Sequence, residues 1–152
     1  MCLVVDEKKT KGFWSTRGRK GKKWCWAYKI YEFHDNKLVS PYFGGVVDFG
    51  EIKSNRCTQE AGSDDRDRNN LCVSRGIHVI HNSKGISPWR KDCLDFGQLP
   101  VVVRVKCYKE DFVAADDKGE AVFMKVFLTR KEYRRARRLA KKIDIKRNAE
   151  YF

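Results

Sequence analysis

The run PVVVRVKCY at residues 100–108 alternates so regularly that it fixes a local structure. In a strand successive side chains point to opposite faces. Val101, Val103, Val105 and Cys107 therefore share one face and Val102, Arg104, Lys106 and Tyr108 the other, which predicts a half-buried strand. Other segments follow the same rule. CWAYKIYEF at 25–33 is rich in aromatic and β-branched residues and is followed by the polar turn HDNK. LVSPYFGGVVDFGEIK at 38–53 is interrupted by Pro41, Gly44, Gly45 and Gly50, which predicts short strands with a bend. LCVSRGIHVIH at 71–81 resumes the pattern, with Gly76 expected at a bulge or a close backbone approach. AVFMKVFL at 121–128 is apolar on both faces except at Lys125 and reads as one central strand, entered through the turn DDKG at 116–119.

Helical signals are fewer. TRKE at 129–132 is a capping box, in which the Thr129 hydroxyl accepts from the Glu132 amide while Glu132 reaches back. Tyr133, Ala136, Ala140 and Ile143 follow at helical spacing, so residues 130–143 should form a basic helix with Arg134, Arg135, Arg137, Arg138, Lys141 and Lys142 mostly on its opposite face. Ser87 and Pro88 offer an N-cap and a first turn for a short helix over 87–96. RCTQEAGSDDRDRNN at 56–70 carries little apolar content and reads as a polar surface loop. These elements predict a single compact α+β domain over 1–152: a mostly antiparallel sheet of five to seven strands with a C-terminal basic amphipathic helix. With 152 residues and 41% hydrophobic content the chain can bury one core.

Charge carries the functional signal. The formal net charge is +13, and residues 1–24 contribute +6 of it and residues 130–152 contribute +7, so the centre is neutral. Basic ends of this kind fit a polyanion, which releases counterions as Lys and Arg neutralise it. The first basic segment contains FWSTRGRKGKKWCW at 13–26, where Arg17, Arg19, Lys20, Lys22 and Lys23 lie among glycines and between aromatic pairs. Its glycines would keep the segment flexible; its cations would follow phosphates, and Trp14 and Trp24 would stack unpaired bases. As plain structure it is a hairpin loop, with Trp24 and Trp26 simply entering a core strand. No stretch approaches the roughly 20 apolar residues that span a bilayer, and MCLVVDEKK lacks a signal-like apolar region. A non-secreted, cytoplasmic protein is expected, without membrane contact, its six scattered cysteines reading as buried free thiols.

Several constellations offer chemistry instead. Asp35 with Glu51 and Lys53 matches the acid and E-x-K spacing by which metal-dependent nucleases hold magnesium, although the HDNK turn already accounts for Asp35. Cys72, His78 and His81 with Cys57 or Cys93 have thiolate and imidazole groups suited to zinc, but no C-x-x-C is present, and the odd spacing puts His78 and His81 on opposite faces. Cys72 with His78 as a nucleophile pair lacks a third, orienting residue. Arg75, His78 and Glu120 in one cleft would suit a nucleotide-using transferase.

The order Cys72-Val-Ser-Arg-Gly76-Ile-His78, followed by VVVRVK and EAVFMKVFL, resembles small phage-encoded domains of unassigned activity that carry a C-x-x-x-G-[I/F/L]-H element before paired strands. The resemblance covers residues 70–128 and implies a viral or mobile-element origin; the resembled domains have no known chemistry, so it transfers no active site. The expectation is a non-catalytic nucleic-acid-binding protein, without cofactor or metal. Arg17, Arg19, Lys20, Lys22 and Lys23 would act from the loop, Arg134, Arg135, Arg138, Lys141 and Lys142 from the helix, both on one side of the sheet. The alternatives are the enzymes above and an inhibitor that docks on an acidic host protein.

Overall fold

The computed structural model describes residues 3–40, 45–54, 59–61, 71–73, 76–82, 85, 86, 88 and 99–151. Alternation becomes strand wherever one face can be buried. The run at 24–34 forms β2 (Trp24–His34) and the run at 100–108 forms β9 (Pro100–Tyr108), paired antiparallel from Trp24↔Tyr108 to Glu32↔Pro100. Val101, Val103, Val105 and Cys107 are buried on one face as the alternation requires. The buried Cys25 and Cys107, directly opposite in register, are free thiols. Asp35 and Asn36 take φ of 48° and 64°, the left-handed pair of a tight primed turn, and lead from β2 into β3 (Lys37–Val39).

The remaining strands are β1 (Leu3–Val4), β4 (Val46–Val47), β5 (Gly50–Lys53), β6 (Gln59–Ala61), β7 (Leu71–Val73), β8 (Ile77–Ile80), β10 (Phe112–Ala115), β11 (Glu120–Phe123) and β12 (Lys125–Leu128). The large antiparallel sheet has the order β10-β11-β8-β2-β9-β12-β5, with β3 on β2 and β4 on β3; β1, β7 and β6 form a small separate sheet. The main core lies on the Val103 face of the large sheet, with Phe13, Ala27, Phe123, Val126 and Leu128, and helix α2 (Arg130–Tyr151) adds Ala136 and Ala140 to it. Smaller clusters occupy the opposite face, around Leu3, Val73, Ala114 and Val122 and around Ile30 and Ile80. The α+β class, the mostly antiparallel sheet and the C-terminal helix thus agree with the sequence.

Some elements differ. Residues 121–128 form two strands: Met124 breaks the run, donating no ladder bond to a strand but giving its N–H to the Asp111 carbonyl (2.8 Å) and accepting from the Ser54 amide (3.0 Å). The break lets β11 pair with β8 and β10 while β12 pairs with β9 and β5. LCVSRGIHVIH likewise splits into β7 and β8, which belong to different sheets; Gly76, at φ 128°, stands just before β8. Within the loop expected over 56–70, Gln59–Ala61 form β6, and the rest lies outside the described residues. The short helix expected over 87–96 lies outside them too, Pro88 excepted. Helix α2 runs on past 143, and Ile143 is 51% exposed, so its contact with the core ends near Ala140.

An additional short helix, α1 (Glu7–Gly12), occupies the first basic segment. Asp6 caps it by accepting from the Lys9 amide (2.8 Å), and Thr10 Oγ1 fastens it to β10 through the Ala115 amide and carbonyl.

Candidate nucleic-acid interface

The loop between α1 and β2 is folded onto the core. After α1 the chain makes a 3-10 turn at Phe13–Ser15 that buries Phe13, which stacks on Phe112 (4.6 Å between ring centres) and meets Trp14, His81 and Phe123 edge-on. Thr16 Oγ1 and Arg19 Nε both donate to the Phe13 carbonyl, at 2.9 and 2.7 Å, and the Arg19 guanidinium lies over the Phe13 ring. The Arg19 and Lys20 amides donate to the Thr16 carbonyl and the Lys22 amide to the Arg19 carbonyl. Gly18 and Gly21 hold φ of 92° and 74°, so these glycines shape consecutive turns rather than confer slack. The segment is a turn-rich connection from a 3-10 turn into β2, so the alternative of a hairpin loop between two strands does not hold.

Trp14 is half-buried in the aromatic cluster with Phe112 and Phe123, a core position rather than an open stacking surface. Arg19 is bound into the loop. Arg17, Lys20, Lys22 and Lys23 are exposed, and Trp24 is 37% exposed. Arg17, Arg19, Lys22 and Lys23 with Trp24, Cys25 and Trp26 line a cleft of about 700 Å³. The hydrogen bond to Cys107 and the nearby Arg19 and Lys22 cations hold the Cys25 thiol below its ordinary value, although burial opposes them.

The cleft opens onto a face of the sheet that register assembles across four strands. Trp26 pairs with Lys106, Lys106 with Phe127, and Phe127 with Glu51, so these side chains form one row. Two residues along, Trp24 pairs with Tyr108 and Lys125 with Lys53; two residues the other way, Tyr28 pairs with Arg104. By alternation all stand on the face opposite Val103 and Val105, and every one of them is exposed or half-buried. Aromatic rings and cations interleave there: Lys106 Nζ lies 4.9 Å from the Trp24 ring centre, Arg104 sits 4.6 Å from that of Trp26, and Tyr108 and Phe127 meet edge-on at 5.5 Å. Glu51 is matched by Lys125 (3.4 Å) and Lys53 (3.9 Å), which leaves the face cationic.

The helix cations do not join the loop. β12 pairs with β9 at Phe127↔Lys106, and α2 continues in the direction of β12 along the first half of β9. Arg137 Nη2 donates to the Asn36 carbonyl (2.8 Å), beyond the end of β2 opposite Trp24. β2 alone spans roughly 30 Å at about 3.3 Å per residue, so the C-terminal half of α2 points away from the cleft. The expectation of one surface shared by both basic ends is therefore corrected. Arg134, Arg138, Lys141 and Lys142 are exposed on the helix, with Leu139, Ile143 and Ile145 exposed among them. Arg135 is tied down: Glu132, 4% exposed, accepts from Arg135 Nη2 (2.7 Å) and from Arg104 Nη2 (3.0 Å). Burial pushes the Glu132 carboxyl up, but these bonds outweigh it and hold it below its usual value. The capping box is thus half formed; the Glu132 amide donates to Thr129 Oγ1 (3.2 Å) while its carboxylate serves the two arginines.

Of the catalytic constellations, the acid and E-x-K set lies wholly within the described residues, and there it is not assembled. Asp35 lies in the exposed β2–β3 turn beside His34, whereas Glu51 and Lys53 are on β5, separated from β2 by β12 and β9. Arg75, Cys57 and Cys93 lie outside the described residues, and so does the Cys72 side chain. His78 faces Val122 across the β8–β11 pair, next but one to Glu120, while His81 packs edge-on against Phe13. Burial first, and then nearby cations, push both histidines down to about 4. Among the described residues no three His, Cys, Asp or Glu side chains cluster as a metal site, and no helix is long and apolar enough to cross a membrane.

Fold and surface together define a single-domain α+β protein whose antiparallel sheet presents an open cationic and aromatic face beside a basic cleft. Comparison with protein-family models, with curated proteins and with solved structures gave no match.

Proposed function

We propose that this chain is a non-catalytic nucleic-acid-binding protein that grips the phosphate backbone in the cleft of Arg17, Lys22 and Lys23 and on the adjoining Lys106. The observation that carries this reading is the juxtaposition of that cleft with the Trp24, Trp26, Tyr108 and Phe127 face. Phosphate contacts supply sequence-independent affinity, and the aromatic rings add contacts a purely acidic partner would not need. The phage-like Cys72–His78 element would make it a viral or mobile-element accessory factor, working in the cytoplasm of its cell or host, where Cys25 and Cys107 stay reduced.

The test is fluorescence anisotropy with labelled DNA and RNA oligonucleotides at 50 and 200 mM salt. Binding should weaken steeply with salt, and the triple reversal R17E/K22E/K23E should cost roughly 100-fold or more, broadly across sequences. Salt-independent binding, or unchanged affinity in the triple variant, would sink the proposal.

A second reading is favoured by one observation. The exposed part of α2 mixes Leu139, Ile143 and Ile145 with Arg138, Lys141 and Lys142, a combination that suits docking on an acidic host protein. Capture of such a protein that resists nuclease treatment and is lost in L139D/I143D would support this reading over the first.

A further inference from the structure

The cleft and the sheet face carry rings and cations that a duplex and a single strand would meet differently. Trp24 is the aromatic side chain at the mouth of the cleft, and at 37% exposure the most open of the aromatic residues in the rows. Trp26 meets it edge-on at 86° with ring centres 5.4 Å apart, which restricts the Trp24 ring. Lys106 is drawn toward the Trp24 ring and Arg104 toward Trp26, which places cations within a nucleotide's reach of the ring. Lys22 and Lys23 immediately precede Trp24 in the chain, and Arg17 lines the same cleft.

A paired duplex keeps its bases stacked inside and offers this surface only its backbone, so Trp24 would find no ring to meet. An unpaired strand can turn a base outward onto an aromatic ring while its phosphates stay with the cations. We propose that the site takes single-stranded nucleic acid, with one unpaired base stacked on Trp24 and the adjoining phosphates held by Arg17, Lys22, Lys23 and Lys106. This inference rests on the nucleic-acid reading above and names its substrate class. Because any base has a stacking face, the site is tolerant of sequence. Base stacking and phosphate contact are open to either sugar, so DNA and RNA strands share the chemistry.

The experiment uses the full chain and three labelled probes: a 12-nucleotide mixed-sequence DNA strand without self-complementarity, the RNA strand of the same sequence, and the DNA duplex. Anisotropy titrations at one salt concentration should give both single strands affinities at least tenfold above the duplex. W24L, which keeps apolar cover but removes the aromatic ring, should weaken single-strand binding roughly ten- to hundredfold and leave duplex binding within about twofold. W24F should restore much of the loss, a readout that a merely structural Trp24 would not give, and circular dichroism checks that each variant folds. Equal affinity for duplex and single strand, or W24L binding single strands as the parent does, overturns this inference while R17E/K22E/K23E still defines a nucleic-acid site. Absence of binding to every probe overturns both.

Discussion

Glu132 shows how much one side chain can organise. Almost wholly buried, it closes the first turn of α2 through its amide and anchors the helix to β9 by accepting from Arg104 and Arg135. E132Q would leave two guanidinium groups facing a neutral amide and should destabilise the fold by about 1–3 kcal/mol in urea unfolding. Its carboxyl sits below the ordinary 4.5, so the stability it lends is present above that value and is lost as the pH falls through the lower folded one. The histidines act in the same direction for a different reason. His78 and His81 fall from an ordinary 6.5 to about 4, chiefly because the charged ring loses water. As acid is added the unfolded chain takes up protons first, so stability should be full above about pH 6.5 and decline between 6.5 and 4. H81F keeps a ring against Phe13 without a titrating group. It should flatten that decline by an order of 1–2 kcal/mol, since solvent still reaches part of His81; parallel stability profiles for parent and variant would refute the assignment.

Among the elements, the β10–β11 hairpin makes the sharpest demand on sequence. Asp116 accepts from the Lys118 and Glu120 amides at 2.9 and 2.8 Å, and Gly119 takes φ 102° while accepting from the His81 amide. A Cβ at Gly119 would come within 2.9 Å of Asn82 Cβ. G119A combines backbone strain with that clash and should lower the unfolding free energy by about 1–3 kcal/mol, seen as a shift in the thermal midpoint. The turn itself, DDKG, was legible in the sequence, as were β2, β9 and the start of α2, because each has a period or a cap that acts within a few residues. What escaped was decided at long range. Nothing within AVFMKVFL says that Met124 will serve Asp111 and Ser54, and α1 has an N-cap in Asp6 but no apolar period to declare it. The cleft residues Arg17, Lys22, Lys23 and Trp24 were readable as a basic-aromatic segment. Trp26 belonged to the same segment, whereas Arg104, Lys106, Tyr108 and Phe127 join it only through strand register, which alternation does not specify.

At the scale of the molecule, the two basic ends of the chain have separate positions. Arg137 reaches Asn36 at one end of β2, and the cleft opens at the other, beside Trp24. Charge reversal at K141E/K142E should therefore change oligonucleotide affinity by no more than a few-fold, through the long-range field alone, at an ionic strength where the screening length is about 8 Å. A loss as large as that from the loop reversal would mean that helix and cleft share a ligand after all. If Arg17, Lys22, Lys23 and Lys106 are the phosphate contacts, log affinity for a single strand should fall with log salt at a slope of about −3.

The large sheet is also unevenly stitched. β9 is bonded to β2 along its length, but among the described residues the register joins β8 to β2 at Tyr28–Ile80. The molecule therefore has a seam, and the strands carrying the open face lie on one side of it, with β8, β11 and β10 on the other. Deuterium should enter the amides flanking that seam well before those of the β2–β9 ladder, and a bound strand would slow exchange on one side of it while the other side continued to breathe.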